Sequence, residues 1–184
     1  MILVSQNLSR YGPLPSGSVV RINLAWVDDI NSLNSILQTT ENEVFLDLPI
    51  GRTKPPNNTY SMEQIKNLVE IHSQIKYLAI SNVESSSPIN KYLDIFGQML
   101  TLVPKIETKK GIDNISEIVD ALQEEKVLML DHDDLFLDLS RNQIPPSMFF
   151  EYIDRLVDYC SKFSVSLLRM RGVIFSDKDK YYYK

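Results

Sequence analysis

Short apolar runs rich in β-branched residues recur along this chain, in Val19 to Leu24, Val44 to Leu48, Tyr77 to Ile80, Leu100 to Ile106, Val127 to Leu130 and Val165 to Leu168. They are nearly continuous rather than alternating, the pattern of strands buried on both faces. Between them apolar residues fall at helical spacing, as in Ile30, Leu33 and Leu37, in Ile65, Leu68 and Val69, and in Ile112, Ile115, Val119 and Leu122. Strand and helix therefore alternate, which predicts an α/β fold with a parallel sheet covered by helices, either a barrel or an open doubly wound sheet.

Local signals place two helix starts. Ser61 followed by Gln64 has capping-box spacing after the Pro55-Pro56-Asn57-Asn58 turn, and Pro145-Pro146-Ser147 opens a helix through Phe149, Ile153, Leu156 and Cys160. Gly51 and Gly111 stand alone, so neither the dinucleotide fingerprint nor the P-loop is present and the barrel is favoured. With 184 residues, a chain below the roughly 200 of a small eight-strand barrel accommodates six or seven units. The expectation is a single TIM-barrel-like domain over 1–184, incomplete, completed by a second copy or a partner subunit, with a polar, tyrosine-rich tail at 176–184 that frays.

A composition of 43% hydrophobic and 23% charged residues contains no window of roughly 18 apolar residues, so no membrane span is expected. Met1 to Val4 lacks the basic flank and long apolar core of a signal peptide, which makes a cytoplasmic protein the default. The single cysteine, Cys160, lies on the buried stripe of a helix and reads as filler. A formal net charge of -5 argues against capture of nucleic acid or anionic lipid and in favour of a small-molecule partner.

Ligand sites in parallel α/β folds lie at the carboxyl ends of strands. Polar residues there are Arg21 and Asn23, Asp47, Lys105 and Glu107, and the run Asp131-His132-Asp133-Asp134. Glu107 and Asp134, from neighbouring strand ends, could hold a hard cation such as Mg²⁺ or Mn²⁺, which takes one or two carboxylates and fills its shell with substrate oxygens and water. Lys105, two residues before Glu107, points to the same side of its strand and could set an ammonium over an enolate or phosphoryl oxygen. Arg21 adds a planar fork suited to carboxylate or phosphate. The competing interpretation is plain: charged residues are common where strands stop, and Asp131, Asp133 and Asp134 could form a solvated acidic turn.

The segment Val103-Pro104-Lys105-Ile106-Glu107-Thr108-Lys109-Lys110-Gly111-Ile112-Asp113-Asn114-Ile115-Ser116-Glu117-Ile118 resembles the stretch of pyruvate kinase in which a Lys-Ile-Glu strand end precedes a Gly-Val-x-Asn-x-x-Glu-Ile helix. Met129 to Leu135 resembles the next strand of that family, and Val20 to Leu24, Phe45 to Arg52 and Tyr77 to Val83 resemble earlier ones, so the likeness covers about residues 18 to 170. It implies the barrel domain of that family, in the wider superfamily of phosphoenolpyruvate and pyruvate enzymes. It also implies that Glu107 and Asp134 bind Mg²⁺ and that Lys105 acts on the transferred group. Arg21, Asp133 and Asp134 would then lie against the substrate, and Asn23 and Asp47 would belong to a K⁺ site.

The departures from that pattern are specific. The lid domain is replaced by the short Thr53 to Ser61 connection, Ala25 stands where a serine would help hold K⁺ and Trp26 where a histidine follows it, Asp133 replaces a glycine, and Leu168 replaces a threonine. The resemblance implies an enzyme of phosphoenolpyruvate or pyruvate-type enolates, with phosphoryl transfer the nearest likeness. Carbon-carbon lysis of a 2-oxo acid by the same device needs neither nucleotide nor lid. A third expectation is a catalytically inactive barrel kept for binding or assembly.

Overall fold

Seven strands run in one direction and pair strictly in chain order, from β1 (Ile2–Ser5) through β2 (Ser18–Asn23), β3 (Val44–Leu48), β4 (Ile75–Ile80), β5 (Thr101–Ile106) and β6 (Val127–Leu130) to β7 (Ser166–Arg169). They curl into an open half-barrel that alternates with helices, an incomplete parallel βα barrel. These coordinates are a computed structural model and describe residues 1–5, 14, 16–49, 56 and 58–169. The tail expected to fray at 176–184, together with Gly51 and Arg52, lies outside the described residues.

Six of the strands fall on the six apolar runs, within two residues at either end. β1 is the addition. Its four residues are too few to establish a period, and β2 supplies its pairing through Ile2 opposite Ser18 and Val4 opposite Val20.

The helices are α1 (Ile30–Gln38), α2 (Met62–Ile71), α3 (Ser86–Phe96), α4 (Lys109–Asp113), α5 (Ile115–Asp120), α6 (His132–Arg141) and α7 (Phe149–Lys162). The α2 capping box is formed as expected: the Ser61 hydroxyl accepts from the Gln64 amide at 3.1 Å and Gln64 Oε1 accepts from the Ser61 amide at 2.9 Å. The apolar stripe from Ile112 to Leu122 divides at Asn114 into α4 and α5. A 3-10 turn over Pro146–Met148 leads into α7, which buries Tyr152, Ile153, Leu156 and Cys160. No helix of the described residues is long and apolar enough to cross a membrane.

Because side chains alternate along each strand, the sheet has two distinct faces. Ile22, Leu46, Leu78, Ile80, Leu102, Ile106, Leu128 and Leu130 point outward and join the helices' apolar residues in the larger core. Val19, Phe45, Ala79, Val103, Val127 and Met129 point inward and form a smaller cluster with Leu3, Tyr77 and Leu168. Phe45 is fully buried and stacks on Tyr77 with ring centroids 6.2 Å apart. This inner apolar layer is the floor on which the polar strand ends sit.

Candidate functional site

Continuing each inward row toward the carboxyl ends of the strands leads from apolar to charged residues. Above Val19 comes Arg21, above Phe45 comes Asp47, above Val103 come Lys105 and Glu107, and above Met129 comes Asp131. Period two along each strand brings all of them to the same face, and the parallel register brings them to the same end.

Lys105 is the centre of this group and is only 7% exposed. Its Nζ lies 2.7 Å from Glu107 Oε1, 3.7 Å from Asp47 Oδ1 and 3.4 Å from the Ser81 hydroxyl. Burial is the largest single influence on Lys105 and opposes its charge. Asp47, Glu107 and Asp131 together outweigh it, so the ammonium holds its proton above the usual lysine range. Asp47 is shared, because its Oδ2 also takes Arg21 through Nη2 and, at 3.0 Å, through Nε.

Glu107 is 2% exposed and uses both oxygens. Its Oε1 meets Lys105, and its Oε2 accepts from the Asn82 amide at 2.6 Å. Asn82 reaches that position from the left-handed backbone region, with φ 54, which asparagine tolerates better than most residues. Burial pushes the Glu107 carboxyl above the ordinary glutamate range, Lys105 and the Asn82 amide pull it back, and the Asp134 charge adds to the rise.

One oxygen each from Glu107, Asp131 and Asp134 lie within 4.8 Å of one another, a group able to hold a metal ion. Asp131 is 9% exposed and is the N-cap of α6, accepting from the amides of Asp133 at 3.2 Å and Asp134 at 3.3 Å through Oδ1. Asp134 is exposed. Oxygens around an octahedral Mg²⁺ stand about 3 to 4 Å apart, the scale of this grouping. Among the described residues, two cations, Arg21 and Lys105, and four carboxylates, Asp47, Glu107, Asp131 and Asp134, make up this group. When all are ionised the surplus of negative charge matches a divalent cation.

Asn23, Asp47 and Asp133, three further expected site residues, have partners or positions of their own. Asn23 spends its side-chain oxygen on the Ala25 amide at 3.0 Å, capping a 3-10 turn over Leu24–Trp26, and Asp47 faces a guanidinium and an ammonium. The Asp133 side chain is exposed in the first turn of α6, and its amide belongs to the Asp131 cap. Ser81 and Asn82, which the strand pattern did not single out, enter from the end of β4. The signal for them was faint: a small polar residue followed by one tolerant of positive φ, where an apolar run stops. His132 Nε2 lies 3.4 Å from Arg169 Nη2, and burial followed by that guanidinium lowers its pKa. Cys160 is 3% exposed and its thiol is pushed up to about 11 by burial, in keeping with filler.

A depression of 320 Å³ adjoins the group, between the end of β4 and the first turns of α3, lined by Ser81, Asn82, Ser87, Pro88, Lys91 and Tyr92. A larger one of 680 Å³ lies at the opposite, amino-terminal end of the strands, around Lys76, Tyr77, Thr101 and Glu125, away from this chemistry.

No family model matches the chain and no curated protein matches it. Among solved structures it is similar to RipC from Yersinia pestis, at TM-score 0.62 and 16% identity, over 97% of this chain and 78% of that one. That likeness is one of fold. It overturns the resemblance to pyruvate kinase drawn from the Lys105-Ile106-Glu107 segment and its neighbours, since no comparison supports a pyruvate kinase barrel. The physical reason is that short runs of β-branched residues ending in a polar group suit the rim of a parallel βα fold in general, so such strings mark the fold rather than one family.

Proposed function

We propose that the carboxyl-terminal rim of this half-barrel binds a divalent cation and a small 2-oxo acid, and that its chemistry is carbon-carbon bond cleavage or formation through an enolate. The observation that carries this is the meeting of Glu107, Asp131 and Asp134 oxygens within 4.8 Å beside the buried ammonium of Lys105. A hard cation held there would polarise the carbonyl of a bound 2-oxo acid. Lys105, kept charged by Asp47 and Glu107, offers a positive group to an oxygen on which negative charge develops, and Arg21 offers a guanidinium to the substrate carboxylate.

In the cleavage direction a 4-hydroxy-2-oxo acid loses its C3–C4 bond. The C4 hydroxyl gives its proton to solvent at the open rim as the new aldehyde forms, and the electron pair passes to C3 and the C2 oxygen. Protonation of C3 then gives the shorter 2-oxo acid. The test is titration calorimetry with pyruvate in Mg²⁺ or Mn²⁺, on the natural chain and on Glu107→Gln and Asp134→Asn, followed by an assay for pyruvate release from a 4-hydroxy-2-oxo acid. Metal-dependent binding lost in both variants is the expected result. Binding that ignores the metal would remove the proposal.

One observation favours a second reading, a catalytically inactive binding module. Arg21 and Lys105 already meet Asp47 and Glu107, so the charges satisfy one another without a ligand. Retained binding with no turnover would select it.

A further inference from the structure

The depression beside Ser81 and Asn82 has the makings of a second half of the ligand site. Asn82 belongs to both, since its amide holds Glu107 while the residue lines the depression, and Ser81 likewise contacts Lys105 and lines it. Ser81 and Asn82 are thus a border common to the carboxylate group and the depression.

The groups waiting there suit an anion. Lys91 is exposed and, unlike Lys66, Lys105, Lys109 and Lys110, has no carboxylate within 4.0 Å among the described residues. Tyr92 is 7% exposed, and its hydroxyl, which solvent reaches, makes no hydrogen bond to another described residue. Ser87 adds a second hydroxyl in the first turn of α3. The end of that helix contributes little itself, because Glu117 already accepts from the Ser86 amide at 2.8 Å and from its hydroxyl at 2.6 Å. The floor beneath is Ile80 and Pro88, which favours a carbon chain between two charged ends.

We infer that this depression receives the distal carboxylate of the substrate through Lys91, Tyr92 and Ser87, so that the 2-oxo acid is dianionic. The inference rests on the metal site proposed above and adds to it which 2-oxo acids that site selects. A chain lacking the distal carboxylate forgoes a charge-assisted contact with the Lys91 ammonium.

The experiment uses two five-carbon probes of equal length, 2-oxoglutarate and 2-oxopentanoate, that differ only in the terminal carboxylate. Their affinities are measured by calorimetry in saturating Mn²⁺ on the natural chain and on Lys91→Met, Lys91→Arg and Tyr92→Phe. Mn²⁺ binding is followed separately by electron paramagnetic resonance. The expected result is a preference for 2-oxoglutarate of roughly tenfold or more, reduced severalfold in Lys91→Met and Tyr92→Phe and largely kept in Lys91→Arg, with 2-oxopentanoate affinity unchanged throughout. Normal Mn²⁺ binding with equal affinity for the two probes, or a preference indifferent to Lys91→Met, overturns this inference and leaves the metal site standing. Absence of Mn²⁺ binding overturns the metal site and this inference together.

Discussion

Lys105 and Glu107 lie two residues apart at one strand end and meet at 2.7 Å, each almost fully buried, with no helix or turn to bring them together. Same-side neighbours on a strand diverge unless something draws their tips inward. Here the Asn82 amide fixes one carboxylate oxygen of Glu107, and Asp47 and Ser81 fix the ammonium from the other side.

Replacing Lys105 by Met should therefore cost far more than a surface charge would. It leaves Glu107 and Asp47 buried without the ammonium, a loss on the order of 3 kcal/mol or more in a urea melt. Added Mn²⁺ should restore part of that stability through linkage, because a cation at the triad substitutes for the missing charge. A Lys105→Met protein as stable as the natural chain would refute the buried pairing.

Asp131 caps α6 and belongs to the proposed metal group, two roles that substitution can separate. Asn caps a helix about as well as Asp, whereas Ala loses the cap at about 1 kcal/mol. Asp131→Asn should keep the thermal midpoint and weaken Mn²⁺ binding, while Asp131→Ala should lower both. Equal Mn²⁺ affinity in Asp131→Asn and the natural chain would limit the metal-binding group to Glu107 and Asp134.

Gly111 in α4 would ordinarily be improved by alanine, since glycine costs about 1 kcal/mol inside a helix. An added Cβ would stand 2.8 Å from the Val83 carbonyl oxygen, a backbone atom in the loop after β4. Gly111→Ala is expected to destabilise by about 1 to 3 kcal/mol by calorimetry. A raised midpoint would mean that α4 can withdraw from that loop.

Acid stability provides a check with a definite sign. Hydrogen bonds from the Ser86 hydroxyl and amide hold the Glu117 carboxyl below the ordinary glutamate value of 4.5. A depressed carboxyl stabilises the fold above its unfolded value, and that contribution is lost as pH falls through the folded one. Glu117→Gln should then lower the melting temperature at pH 7 and flatten its decline below about pH 4.5. A decline as steep as that of the natural chain would assign acid sensitivity to other carboxylates.

The parallel half-barrel was legible because burial on both faces writes itself into six continuous apolar runs, from Val19 to Leu24 through Val165 to Leu168. β1 was not, because Ile2–Ser5 is a strand only by virtue of β2 beside it. The helix at His132 was equally hidden, since an N-cap aspartate followed by two more acidic residues reads alike as a turn, a ligand cluster or a helix start.

The sequence by itself determined that Lys105 and Glu107 share a face, that polar residues crowd one rim, and that Ser61 and Gln64 start α2, because alternation and capping act over a few bonds. Only the tertiary structure decided that Asp131 and Asp134 come within reach of Glu107, that Asp47 is shared between Arg21 and Lys105, and that Ser81 and Asn82 link this group to the depression at Lys91 and Tyr92. Those meetings depend on strand register, sheet curvature and loop path. Each is set by how the whole apolar core packs rather than by the residues that meet.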